Sequence, residues 1–165
     1  MSNYNFHKDL KRSHQSEKHT AGLFFKHYPD KIDNIIPDKT GAYDFQIYLK
    51  TGGLVTVEQK EDLRHAKSGN VAIEHFSRGK PSGISRTKAD FYLIIAHAKN
   101  GPPTYLLIAT KELKRLIAEK EYKFEHKTGG DPGSNTCNYL FDFKLLCKYG
   151  KVLFNDPKKS KTAVR

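Results

Sequence analysis

Two carboxylates and an ammonium stand out by type and spacing: Asp44, then Glu58 after thirteen intervening residues, then Lys60. Paired carboxylates offer oxygens to a hard cation, and a neighbouring lysine offers fixed positive charge. Together they suit metal-assisted hydrolysis of a phosphodiester. In that chemistry Asp44 and Glu58 would hold one or two magnesium ions, for which manganese would substitute. The metal would neutralise the scissile phosphate and acidify the attacking water, with Lys60 beside that water or the five-coordinate phosphorus. The competing interpretation is a solvated strand face, with Lys60 in a salt bridge to Asp44 or Glu61.

To act together these groups must share a face. Residues 42–49 and 54–60 are predicted as antiparallel strands on either side of the turn Lys50-Thr51-Gly52-Gly53. Side chains two apart in a strand point the same way, so Glu58 and Lys60 form a charged face and Val55 and Val57 an apolar one. A loop of Thr51, Gly52 and Gly53 would put Asp44 opposite Lys60 and diagonal to Glu58, whereas an even-numbered loop would turn Asp44 to the apolar side. Gln59 points to the opposite face.

Tyr43-Asp44-Phe45 and Val57-Glu58-Gln59-Lys60, in that hairpin context, resemble the core of the PD-(D/E)XK nuclease superfamily of restriction enzymes, junction resolvases and repair nucleases. Tyr43 stands where the family has proline. The resemblance covers about the first two thirds of the chain. Gly69-Asn70-Val71-Ala72-Ile73-Glu74, Pro81-Ser82-Gly83-Ile84 and Thr87-Lys88-Ala89-Asp90 look like stretches of small phage-type members. It implies a restriction-endonuclease-like fold, a magnesium-dependent DNA endonuclease, a metal ligand in the Gln59 main-chain carbonyl, and a further acid from the first helix, which Glu17 would supply.

Glu17 also draws notice by position. The first helix, expected over residues 4–27, carries Leu10, His14, Glu17, Ala21 and Phe24 on one stripe, where an unpaired carboxylate would be costly. A small rotation of the helix, or a bond to His14 or Lys18, would remove that cost. Glu74 is the rival for the further acid, and Asp90 marks an element boundary. Lys80, Arg86 and Lys88, among serines and glycines, would hold phosphates if that segment is more than a solvated loop. The histidines of the first helix, His7, His14, His19 and His27, spread around it, which argues against a histidine general base.

The rest of the chain frames that site. At 165 residues with no internal repeat, it is expected to form one α/β domain, residues 1–157, with a mixed central sheet flanked by helices and a basic tail over 158–165. Residues 91–96 and 105–109 are near-continuous apolar runs, the marks of buried central strands. Thr110 is expected to cap a helix running through Lys120, and residues 139–147 are expected to be strand or helix. A formal charge of +11 favours a polyanion, hence DNA. No apolar run spans a membrane and no signal peptide is recognised, so an intracellular protein is expected. The two cysteines, Cys137 and Cys147, lack the companions of a zinc site. Cutting both strands with so small a subunit would favour a homodimer or higher symmetric assembly. The alternative is a non-catalytic nucleic-acid-binding protein in which Asp44, Glu58 and Lys60 form a structural ion network.

Overall fold

The computed structural model describes residues 6–129 and 133–155, with side chains described for residues 13–127 and 133–154. Residues 4, 5 and 130–132 and the tail lysines Lys158, Lys159 and Lys161 lie outside that range, as does the side chain of Leu10. In chain order the elements are α1 (Phe6–His27), β1 (Ile32–Pro37), β2 (Phe45–Leu49), β3 (Leu54–Asp62), α2 (His65–Ser68), β4 (Asn70–Ser77) and β5 (Lys80–Pro81). After a 3-10 turn at Gly83–Ser85 come β6 (Phe91–Ala96), β7 (Thr104–Ala109), α3 (Thr110–Ala118), β8 (Phe124–Gly129), β9 (Thr136–Asp142), α4 (Phe143–Tyr149) and β10 (Lys151–Asn155).

The fold is mixed α/β, built on two sheets rather than the single sheet expected. A six-stranded sheet runs β1-β2-β3-β6-β7-β10, and a four-stranded antiparallel sheet runs β5-β4-β9-β8. Only β3 and β6 pair in parallel in the larger sheet, because the whole of β4, β5 and the 3-10 turn intervenes between them. The apolar runs do form central strands: β6 is buried from Tyr92 to Ala96 and β7 lies beside it. One core packs Tyr92, Ile94, Leu106 and Ile108 against Val71, Ile73 and Phe141 of the smaller sheet, with Leu113 and Leu116 of α3. On the other face Leu23 and Phe24 of α1 cover Phe45, Val57, Leu93 and Ile95.

Several local expectations are corrected. The buried side of α1 runs through Ser16, Thr20, Leu23 and Phe24, while His14 is 68% exposed and Glu17 sits at the margin. Ser16 and Thr20 can be buried because the Thr20 hydroxyl donates to the Ser16 carbonyl and the Ser16 hydroxyl accepts from the Gln59 side-chain amide. The helix is thus rotated from the predicted stripe. Residues 32–37, in a stretch rich in Asp and Pro over 30–39 that reads by composition as a connector, form edge strand β1, paired with β2. Thr110 does not cap α3: Ala109 holds the capping position, and the Thr110 hydroxyl is buried without a partner among the described residues. Residues 139–147 are both strand and helix, divided at Asp142, whose side chain caps α4 by accepting from the Lys144 amide.

The hairpin keeps its parity but shifts its register. Phe45 pairs with Val57 and Tyr48 with Leu54, and the turn closes through Leu49 N–H to Gly53 O at 2.8 Å and Gly52 N–H to Leu49 O at 2.8 Å. Gly52 takes φ +87°, the left-handed conformation this turn needs. Asp44 follows just outside β2, its N–H bonded to the Val57 carbonyl, which brings it to Glu58 rather than opposite Lys60. β2 begins at Phe45 rather than at residue 42 because residues 38–44 turn around Asp38. The Asp38 carboxylate accepts from the Thr40 hydroxyl at 2.7 Å and from the Thr40 and Ala42 amides at 3.1 and 3.0 Å.

Candidate active site

Since β2 begins at Phe45, no strand among the described residues pairs with β3 from Glu58 onward on that side, while β6 covers the other from Val57 to Asp62. Asp44 sits at this opening. Its N–H donates to the Val57 carbonyl at 3.0 Å, and its carboxylate accepts the Gln59 N–H at 2.6 Å, satisfying an edge donor. The N–H and C=O of one strand residue leave on the same side, so the Gln59 carbonyl is directed to the same open edge as Asp44. The Gln59 side chain goes to the opposite face, where its amide donates to Ser16 at 3.2 Å and fastens α1 to β3.

Glu58 is fixed from the other side. Thr87 donates its hydroxyl to Glu58 Oε2 at 2.9 Å, and the same segment is tied to the Asp38 turn by the Lys88 N–H donating to the Ala42 carbonyl at 3.0 Å. Upstream, the 3-10 turn presses on β4: a Cβ on Gly83, at φ +47°, would overlap the Glu74 carbonyl oxygen. Glycine there permits the approach that places Thr87. Downstream, Asp90 accepts from the Thr56 N–H at 2.9 Å and hydroxyl at 2.8 Å, fixing the start of β6, the boundary role expected of it.

The electrostatics are those of crowded acids. The Asp44 carboxyl is pushed up to about 6, chiefly by burial and against the Gln59 hydrogen bond, with Glu17 and Asp38 adding to the rise and His14 opposing it. Glu58 is pushed up to about 7 by burial and then by Asp44, with Glu17 adding a smaller push against relief from Thr87 and Arg86. Ionising one of the pair therefore makes the other harder to ionise. The phenol of Tyr92, paired in register with Glu58 on β6 and fully buried, is pushed above its ordinary value first by burial, then by Glu58, Asp44 and Glu74.

The expected site residues thus divide. Asp44, Glu58 and Gln59 come together, and Glu17 weighs on both acids from α1, where Ser13 donates to it at 3.0 Å and His14 lies 3.5 Å away. Glu74 reaches the same neighbourhood from β4 through Tyr92. Lys60 is half-buried and, among the described residues, is held by no ion pair; Glu61 pairs instead with His97 at 2.7 Å. Arg86 and Lys88 are exposed at the rim, with the Arg86 guanidinium 3.5 Å from where a Gly41 Cβ would stand. Lys80 lies apart from them, on β5 of the smaller sheet.

Three participants were missed. Thr87 stood in a segment singled out only for resemblance. Asp38 was signalled by Pro37-Asp38-Lys39-Thr40-Gly41, where an aspartate two residues before a threonine marks a side-chain-capped turn. Tyr92 looked like ordinary strand core. His14 was set aside as a general base, but the bond to Glu17 weighed for it is present at 3.5 Å. Among the described residues no group of three or more His, Cys, Asp or Glu converges as a metal ligand set, and no helix is long and apolar enough to cross a membrane. Compared with protein-family models, with curated proteins and with solved structures, the chain matches none.

Proposed function

We propose that this chain is a magnesium-dependent DNA endonuclease whose centre is the Asp44–Glu58 pair. The observation that carries the proposal is the pair itself: Asp44, bonded to the Gln59 amide just beyond β2, and Glu58 on β3, two carboxylates close enough that Asp44 raises Glu58, each pushed toward neutral pH by burial and crowding. Such an arrangement destabilises the apo fold unless positive charge enters.

The donors fit a hard divalent cation. They are all oxygens: two carboxylates and the Gln59 carbonyl, directed to the same edge by the Gln59–Asp44 hydrogen bond. With no third acid converging among the described residues, water would complete the shell, the habit of magnesium rather than zinc. When bound, the cation would screen the scissile phosphate and acidify the attacking water. The chain's own residues do the positioning. Thr87 holds one Glu58 oxygen, the other having no hydrogen-bond donor among the described residues, and the Gln59 amide orients Asp44. Lys60, two residues from Glu58 on the same strand face, brings a cation that no partner neutralises among the described residues, suited to charge developing on the phosphoryl oxygens. Arg86 and Lys88 line the entrance and favour a polyanion, in keeping with the net charge of +11. A symmetric dimer would let two such sites cut both strands.

The test is cleavage of plasmid and branched DNA with magnesium or manganese, repeated with EDTA. Cleavage that EDTA stops, lost in both Asp44→Ala and Glu58→Ala while DNA binding persists, supports the proposal. Tight binding without cleavage on any substrate favours the non-catalytic binding protein. That alternative draws on the same geometry, because the bonds from Gln59 N–H and Thr87 also describe a purely structural network.

A further inference from the structure

The acid pair stands at one end of an open sheet surface that the proposed chemistry leaves unexplained. On the Glu58 face, β1, β2 and β3 lie in cross-strand rows: Asn34–Tyr48–Leu54 at the hairpin tip, then Ile36–Gln46–Thr56, with Glu58 next along β3 and Asp44 just beyond β2. The smaller sheet covers this face over β6 and β7, where Tyr92, Ile94, Leu106 and Ile108 are buried. Over β1 to β3 it is exposed: Ile36 is 41%, Tyr48 36% and Leu54 50% accessible. These are three of the eight large hydrophobic side chains found exposed among the described residues, gathered in adjoining rows of one face. Single exposed apolar residues need no explanation, whereas a contiguous group does.

We infer that this face is a platform for unpaired nucleotides beside the scissile phosphate, so that the substrate carries a single-stranded or splayed segment rather than an uninterrupted duplex. This rests on the nuclease proposal for its direction but not for its binding chemistry. An open sheet face bearing an aromatic ring and apolar side chains is a surface on which bases stack irrespective of sequence. Tyr48 is held ready: its hydroxyl donates to Gln46 Oε1 at 2.8 Å, and Gln46 Nε2 donates to the Tyr43 hydroxyl at 2.6 Å, so ordering costs little on binding. The rows end at the acid pair, and the exposed cations of Arg86 and Lys88 flank that end, so a strand whose bases lay on the platform would carry its phosphates to the carboxylates. In an intact duplex the base faces are already stacked and could not use the platform. A second copy of this chain is the weaker occupant, since three apolar side chains fall far short of the 20–30 residues a side of a stable interface.

Binding measured in EDTA separates this inference from the nuclease proposal, because no cleavage is needed. Fluorescence anisotropy of labelled twenty-nucleotide oligo(dT), and of a twenty-base-pair duplex, would be followed for the full chain and for Tyr48→Ala/Leu54→Ser. Oligo(dT) affinity should fall about tenfold and duplex affinity less than twofold. Tyr48→Phe, which keeps the ring, should retain oligo(dT) binding. An equal loss on both probes, or none on oligo(dT), overturns the inference. So does a native mass, measured by light scattering, that halves in the double variant, which would make the face an interface between copies. If Asp44→Ala and Glu58→Ala still cleave while the oligo(dT) effect stands, the nuclease assignment fails and the platform remains.

Discussion

Replacing Glu58 by glutamine should make the cation-free protein more stable at alkaline pH, the reverse of what the loss of a buried hydrogen-bonded side chain normally does. The carboxyl is moved from its ordinary 4.5 to about 7, so its ionisation costs the folded chain about 3 kcal/mol more than the unfolded one. Because the folded value lies above the unfolded one, the folded chain binds the extra proton between them. Stability is fully present below about 4.5, falls as pH rises through the window to about 7, and is level above it. Glutamine is neutral throughout, retains an oxygen to accept from Thr87, and removes the charge that burdens Asp44. In EDTA, Glu58→Gln and the unaltered chain should therefore melt nearly together at about pH 4.5. By pH 8 the variant should gain roughly 1–3 kcal/mol, on the order of 5 °C for a chain of this size. Comparing the two proteins cancels the other titrating groups. Magnesium at pH 8 should then stabilise the unaltered chain and leave the variant nearly unmoved. A variant that melts lower than the unaltered chain at pH 8 in EDTA, or a difference that does not change with pH, would refute the crowded-acid description.

Glu17→Gln should lower the apparent pKa of the acid pair, shifting the acidic limb of a cleavage pH profile downward with little change in DNA affinity; an unmoved limb would separate Glu17 from the site. Lys60→Ala should slow single-turnover cleavage without weakening metal binding by a comparable factor, and a loss confined to metal affinity would mark it as structural. Arg86→Ala and Lys88→Ala should each reduce the log-log salt slope of DNA binding by about one, while Lys80→Ala, on the other sheet, should leave it unchanged. Gly83→Ala should cost about 2 kcal/mol or more in denaturant unfolding and weaken metal binding, because the Cβ would overlap the Glu74 carbonyl and displace the segment that carries Thr87.

What could be read from residue order was whatever rests on periodicity. Alternation in residues 54–60 gives the face shared by Glu58 and Lys60, and the continuous apolar runs at residues 91–96 and 105–109 give the central strands. The parity and register of the hairpin were left open by its sequence, because they depend on the turn closing between Leu49 and Gly53 rather than between Lys50 and Leu54, and the start of β2 was hidden because the Asp38 turn takes up residues that alternate like strand. Edge strand β1 and the described parts of β8 and β10 carry mostly exposed side chains, and pairing rather than pattern makes them strands. The rotation of α1 was hidden because Ser16 and Thr20 are polar yet buried through their own hydrogen bonds. Thr87 and Tyr92 reach Glu58 across 29 and 34 positions of chain, and no local spacing encodes such contacts.

The most direct measurement is an anomalous difference map at the manganese edge from crystals grown near pH 8 and soaked in manganese. A peak ligated by the Asp44 and Glu58 carboxylates and the Gln59 carbonyl is expected, with oxygens about 2.0–2.2 Å away, absent from Asp44→Ala crystals treated alike. Manganese bound elsewhere while Asp44 and Glu58 keep only their bonds to Gln59 and Thr87 would contradict a cation site at this pair.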